Sequence, residues 1–148
     1  MSEELIALAR EDMEAFNAGD WDRLRALTAD DAVYVEPGTG RRIEGADAIL
    51  DANKAWKAAF PDAQGTITDA FACGDRVATQ HVWEGTHSGV LPVPGGEIPA
   101  TGQKIRVEAC QVSRIKDGKI VEACHYFDML GMLEQIGALS PEAAAHAD

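Results

Sequence analysis

The sequence predicts an α+β domain in which helices pack on one face of an antiparallel sheet. Helical periodicity dominates the chain as far as Pro61. Period-two alternation, punctuated by Gly and Asp turn signals, then runs from Ile67 to Phe127. A short helical segment closes at Gly137. Helices followed by turn-linked strands assemble as segregated α+β layers.

Ser2 to Asn17 reads as a helix, with Leu5, Ile6, Ala9, Met13 and Phe16 on one side and Glu3 and Glu4 suiting the dipole at its start. AGD breaks it, and Asp20 can cap a second short helix carrying Trp21, Leu24 and Leu27. TADDAVYVEPG reads as turn, strand, turn, with Val33 and Val35 on one face and Tyr34 and Glu36 on the other. Glu44 to Phe60 is a third helix with a stripe of Ile49, Ala52, Trp56 and Phe60, ended by Pro61.

Ile67 to Cys73 is a strand, CGDR a turn, and Arg76 to His87 a long strand. SGVLPVPGGEIPATG, from Ser88 to Gly102, reads as a Pro- and Gly-rich loop bordering a pocket mouth, either a lid or a plain excursion. Lys104 to Ile115 is a further strand. KDGK turns the chain into Val121, Ala123, His125 and Phe127, the apolar row of the last strand. Asp128 is a natural N-cap for MLGMLEQIG and Gly137 a natural stop. The tail SPEAAAHAD is expected to fray. With no repeat or linker, the 148 residues are expected to form one domain.

Composition excludes several classes. Hydrophobic content of 46% with 26% charged residues is ordinary for a globular protein. A formal net charge of -12 repels phosphate backbones, which argues against nucleic-acid binding. No apolar run approaches a membrane span, and MSEELIALAR lacks the basic head of a signal peptide, so a cytoplasmic location is the default expectation. Cys73, Cys110 and Cys124 form no CxxC pair and are expected to be buried free thiols.

Alternation sorts the strands into rows. Val77, Thr79, His81, Trp83 and His87 share one row, and Ile105, Val107, Ala109 and Gln111 another. A two-residue Asp-Gly loop would set Cys110 and Glu108 beside His125. A three-residue loop would set Ala109 opposite His125 and Gln111 opposite Ala123, and burial favours that register. The inner wall is then apolar but carries His81, Trp83, His87, Gln111 and His125, which suits a ligand pocket better than a closed core. The outer row mixes Arg106, Glu108, Arg114 and Glu122 with Val82, Val112 and Tyr126, as a homodimer interface between sheets would. His81 and His87 stand roughly 20 Å apart along one strand, too far to share an ion, so no metal is expected.

AFNAGDWDRL, EGTHSG, PATGQKIRVE and DGKIVEACHYFDMLGMLEQIG together resemble the SnoaL-like polyketide cyclases and ester cyclase relatives, within the nuclear transport factor 2-like group. The resemblance covers about the whole chain. It implies a cone-shaped curved sheet with the N-terminal helices on its concave face, and a pocket between them. In the cyclases that pocket holds a polycyclic polyketide ester, and an intramolecular aldol condensation closes a ring without metal or organic cofactor. His87 matches the histidine of EGTHSG, and Asp128 a widespread aspartate before the last helix. The family's catalytic aspartate falls where this chain has His125, and a second cyclase histidine falls near Gln111.

These readings converge on cofactor-free acid/base chemistry on a small hydrophobic carbonyl or ester molecule. His125 is the expected base, His87 or His81 the donor to a developing enolate, and Asp128 the group that fixes the His125 tautomer. Trp83, Gln111, Tyr34, Phe127 and Trp56 are the expected substrate contacts, and Tyr34 is a further candidate donor if its row faces inward. The alternatives are a non-catalytic binding protein for a lipophilic metabolite, and an epoxide hydrolase or isomerase. The last usually needs an inward carboxylate, which only Asp128 or Glu36 could supply.

Overall fold

The computed structural model describes residues 2–139; the tail SPEAAAHAD lies outside the described residues. In chain order the elements are α1 (Ser2–Ala18), α2 (Trp21–Ala26), β1 (Thr28–Glu36), β2 (Arg41–Glu44), α3 (Ala46–Ala59), β3 (Gln64–Cys73) and β4 (Arg76–Thr86). Then come β5 (Leu91–Val93), β6 (Gly96–Ile98), β7 (Lys104–Lys116), β8 (Lys119–Phe127) and α4 (Met129–Gln135). No helix among the described residues is long and apolar enough to cross a membrane.

Six strands form one curved sheet in the order β2-β1-β8-β7-β4-β3, and β5 and β6 make a separate hairpin. The architecture is the expected α+β one, with α1 against β3 and β4 and α3 against β1. Sequence patterning predicts an antiparallel sheet, and every pairing is antiparallel except one: β8 runs parallel to β1. This pairing sets Tyr34 opposite Ala123 and Val35 opposite Cys124.

Side-chain burial explains the helix seats. Leu8 joins Val77, Ile115, Ile120 and Ala123 in one core cluster, against which Tyr34 packs. Phe16 joins Phe60, Val107, Met132 and Ile136 in the other. Asn17 clamps α1 to the sheet, its Nδ2 donating to the Gly65 carbonyl at 2.9 Å and its Oδ1 accepting from the Gly65 amide at 2.8 Å. Gly65 is required there, because a Cβ would meet the Met13 sulfur and the Trp83 ring.

The final hairpin corrects the expected register. Asp117 and Gly118 form a two-residue turn, both with positive φ (52° and 73°), and Lys116 pairs with Lys119. A two-residue loop alone would turn the β8 apolar row outward. A bulge prevents this: Ile115 pairs with Ile120 but Arg114 with Glu122, leaving Val121 as the extra residue. Gln111, not Ala109, therefore faces His125, and Ser113 faces Ala123.

One element had no counterpart in the sequence reading, and two further expectations are corrected. Arg41–Glu44 is a strand, hidden in sequence by its charged, largely exposed residues. The Ser88–Gly102 segment is not featureless; it holds the β5–β6 hairpin. The cysteines are not buried: Cys73 is exposed and Cys110 and Cys124 are partly so. Cys110 and Cys124 alternate with inward-facing Gln111 and His125, which places both thiols on the face away from the helices.

Candidate active site

The sheet and helices enclose an apolar chamber of about 90 Å³, walled by Met13 and Phe16 of α1, Trp56 of α3, Trp83 of β4, Tyr34 of β1 and His125 of β8. Gln111 and Phe127 also line it. A second cavity of about 230 Å³ lies under the β5–β6 hairpin and shares Glu36, Arg41, Trp56 and Phe127 with the first. The two form an inner chamber and an outer vestibule with a common wall.

A continuous hydrogen-bonded chain crosses the chamber wall. Trp83 Nε1 donates to His125 Nε2 at 3.3 Å, and His81 Nε2 lies 3.1 Å from the same atom. Indole N–H is a donor only, so His125 Nε2 must accept. The neutral ring then carries its proton on Nδ1, which donates to Tyr34 Oη at 2.8 Å. The Tyr34 hydroxyl in turn donates to Glu36 Oε2 at 2.7 Å. The Arg41 guanidinium grips both Glu36 oxygens, Nε to Oε1 at 3.0 Å and Nη2 to Oε2 at 3.1 Å, and Thr39 Oγ1 donates to Oε1 at 2.9 Å. At the far end Thr79 Oγ1 meets His81 Nδ1 at 3.1 Å.

Burial governs the charges along this chain. It pushes His125 down to about 3, with help from His81, against a small opposing pull from Glu36. It pushes His81 down to about 4. Both imidazoles are neutral at physiological pH. Burial and the neighbouring Glu36 charge hold the Tyr34 phenol well above its ordinary value. Burial alone would raise Glu36, but hydrogen bonds from Arg41 and Tyr34 and the guanidinium charge outweigh it and keep the carboxyl ionised.

The structure gathers His81, Trp83, Gln111, Tyr34, Phe127, Trp56 and His125 around one region, but not His87 or Asp128. β4 ends at Thr86, so His87 leaves the row of His81 and Trp83. It is fully buried against Phe60 and pins the Ser88–Gly102 segment instead: its backbone pairs with Gln103 and Gly102, and its Nδ1 accepts from the Thr101 amide at 3.3 Å. Its Nε2 has no hydrogen-bond partner among the described residues.

Asp128 is exposed and accepts from the Gly131 amide at 2.8 Å, as a helix cap. Tyr34, not Asp128, fixes the His125 tautomer. Asp128→Ala should accordingly cost about 1 kcal/mol of folding stability, measured by urea denaturation, and leave turnover unaltered once the folded fraction is equalised. A large selective loss of turnover would restore the expected role.

Sequence reasoning missed Asp12, and the pairing of Arg41 with Glu36. Helical spacing sets Asp12 between Leu8, which packs in the cluster that holds Tyr34, and Phe16 of the chamber wall. Its carboxyl has no hydrogen-bond partner among the described residues, and burial pushes it up to about 7. Its charge reaches Tyr34. The signal was available: an acid at i+4 from Leu8 and i−4 from Phe16 interrupts an apolar stripe. The Glu36–Arg41 pair was legible too, as the two ends of a hairpin around PGTG. Among the described residues no group of three or more His, Cys, Asp or Glu side chains is placed to hold a metal ion.

A curved sheet closed by N-terminal helices over a polar-tipped apolar cavity defines a nuclear transport factor 2-like, ketosteroid isomerase-like fold. Within that class the SnoaL-like polyketide cyclase family model matches residues 7–136, and the chain belongs to this family. The candidate polyketide cyclase IdmH of Streptomyces antibioticus is 36% identical, with 88% of this chain and 96% of that one covered and a TM-score of 0.75. AclR, a candidate hydroxylase of Streptomyces galilaeus, is 26% identical over 93% of this chain and 98% of its own, with a TM-score of 0.78. An LEH-like epoxide hydrolase of M. tuberculosis shares the fold at 22% identity, with 93% and 96% covered and a TM-score of 0.71. No curated protein matches the chain. The family and these neighbours carry the names of enzymes built on this scaffold.

Proposed function

We propose that the protein is a cofactor-independent proton-transfer enzyme acting on a hydrophobic carbonyl or ester molecule, in the manner of an intramolecular aldol cyclase. The observation that carries this reading is the His125–Tyr34–Glu36 chain opening onto an apolar chamber. Aldol chemistry removes a proton beside a carbonyl and stabilises the enolate oxygen that results. Tyr34 becomes the donor to that oxygen by turning its single O–H from Glu36, and neutral His125 supports the hydroxyl from behind. His125 itself is a poor base, because its Nε2 lone pair is already engaged and burial opposes its protonation. Glu36, which lines the chamber, and Asp12 of α1, whose charge reaches Tyr34 and whose carboxyl burial pushes up to about 7, are the two carboxylates proposed to take the proton.

The test is exchange of α-hydrogen for deuterium in 1-tetralone, a compact bicyclic ketone, followed by NMR. Enzyme-dependent exchange supports the reading. Absence of exchange together with tight binding of the ketone would support the non-catalytic alternative. Glu36 favours a second reading, epoxide opening, since it brings a carboxylate to the chamber wall beside a phenol donor. Hydrolysis of styrene oxide without tetralone exchange would select it.

The outer sheet face is proposed as the surface of a homodimer. Phe71 and Tyr126 are 59% and 50% exposed there, near Val112 and between the ion pairs Arg114–Glu122 and Arg106–Glu108. Such mixed charge is self-complementary about a two-fold axis. Light scattering after gel filtration should give twice the chain mass, and Tyr126→Asp should give the monomer; a monomeric parent at high concentration would dismiss the proposal.

A further inference from the structure

The hydrogen-bonded chain has an inner end, away from Glu36, that ends at Thr79. It borders a small cavity of about 30 Å³, whose polar lining is Thr79, His81, Gln111 and Ser113. The rest of that wall is largely apolar, from Ala9 and Met13 of α1 to Ile67 and Val77 of the sheet. Sheet register brings the polar groups together: Thr79 lies opposite Gln111, and Ser113 opposite Val77, two residues before Thr79. Thr79, His81 and Ser113 are all buried, where a polar atom needs a partner.

The direction of each hydrogen bond follows from the Trp83 contact. His125 Nε2 accepts from the indole N–H and carries no proton. His81 Nε2 lies 3.1 Å from it, and two bare nitrogens repel at that distance, so His81 Nε2 carries the N–H. Burial keeps His81 neutral, which makes its Nδ1 an acceptor. Thr79 therefore gives its one proton to His81 Nδ1, at 3.1 Å, and its oxygen has only lone pairs left. Ser113 Oγ accepts from Gln111 Nε2 at 3.1 Å, which leaves the Ser113 proton free. Gln111 Oε1 accepts no side-chain or backbone hydrogen bond among the described residues. The polar wall thus offers two acceptors, Thr79 Oγ1 and Gln111 Oε1, and one donor, the Ser113 O–H.

We infer that this cavity binds a single water molecule, which donates to Thr79 Oγ1 and Gln111 Oε1 and accepts from Ser113 Oγ, so that Thr79 and Ser113 become positioning residues for His81 and, through it, His125. Water matches the wall because it has two donors and acceptor lone pairs to spare. An ammonium ion would leave the Ser113 proton unpaired, and a halide would face two acceptors. One water needs at least about 10–15 Å³ and two to four polar partners, and the site supplies both. The water donates to the Thr79 oxygen, so the Thr79 proton stays on His81. The binding site stands on this geometry alone; its effect on turnover rests on the proton-transfer reading.

A high-resolution crystal structure and long-lived water–protein NOEs test the site. The parent should show one density peak within hydrogen-bonding distance of all three oxygens, and a water cross-peak to the Thr79 methyl group. Side-chain nitrogen spectra should show His81 protonated on Nε2. Thr79→Val combined with Ser113→Ala leaves one polar partner, and both peaks should vanish. Thr79→Val alone should slow 1-tetralone exchange about tenfold, as for one lost hydrogen bond, with ketone affinity within twofold of the parent. Thr79→Ser, which keeps the hydroxyl, should restore most of the rate. If the double variant does not fold, the parent density and the Thr79→Val and Thr79→Ser pair decide the matter. A parent cavity without density, a peak bonded to fewer than two of the oxygens, His81 protonated on Nδ1, or a water that persists in the double variant would each overturn the inference. Exchange within twofold of the parent in Thr79→Val, or no rescue by Thr79→Ser, would overturn the positioning role. Bound water without tetralone exchange in the parent would defeat only the proton-transfer reading, and exchange with a dry cavity only this inference.

Discussion

Tyr34→Phe lowers 1-tetralone exchange by about 100- to 1000-fold, the range for loss of one donor to an enolate or oxyanion. The phenol is the member of the buried chain that can meet a carbonyl, by turning its one proton from Glu36 to the substrate oxygen. His125 Nδ1 feeds it, and Glu36 orients it. The variant also leaves the His125 Nδ1–H without an acceptor, so some stability is lost as well, and rates must be compared at equal folded fraction. His125→Ala should act through the same chain and reduce exchange to a comparable degree. Exchange within threefold of the parent for both variants, with unaltered circular dichroism and Tm, would remove the chain from the chemistry.

Acid should unfold this protein early. His81 and His125 fall to about 4 and about 3 in the folded state from an ordinary 6.5. Their contribution is complete above pH 6.5 and is lost as pH falls toward those values, because the unfolded chain binds protons that the folded one refuses. Asp12 works in the opposite sense. Its carboxyl is raised from 3.8 to about 7, so its contribution is complete below 3.8 and disappears as pH rises through 7. Between pH 6.5 and 4, two histidines oppose one aspartate, which leaves a net loss on the order of 3 kcal/mol. Asp12→Asn should stabilise the protein at pH 8 and make its acid loss steeper. Urea denaturation at pH 4.5, 5.5, 6.5 and 8 measures both slopes. A flat profile in the parent, or a shallower one in the variant, would show that these groups are solvated in the folded state.

Much of this site was legible in residue order. Alternation alone put His81, Trp83, Gln111, His125 and Phe127 on one surface, and helical spacing put Trp56 over them. These inferences succeed because a side-chain period of two leaves each strand residue a single binary choice. The misses have physical causes of their own. The KDGK turn needs two residues, and the bulge at Val121 that reconciles it with burial has no sequence signal of its own. His87 looked like a strand residue, but the chain leaves the sheet at Thr86, where Asp62 accepts from both the amide and the hydroxyl of that threonine. Asp128 satisfied two readings, a helix cap and a partner for His125, until the Gly131 contact chose the cap. Tyr34 was placed with its row left open, because the parallel neighbour that turns it inward comes from the far end of the chain.

That parallel junction has a consequence for biogenesis. The hydrogen bond between Tyr34 and His125 spans 91 positions. During synthesis the first strand must wait, with one edge unsatisfied, until almost everything else has left the ribosome. Folding of this kind is slow and late, and the waiting intermediate exposes surfaces prone to self-association. Chaperone dependence should thus be sharpest for nascent chains halted before Phe127, and a split gene should regain the closed sheet only when both fragments are made together.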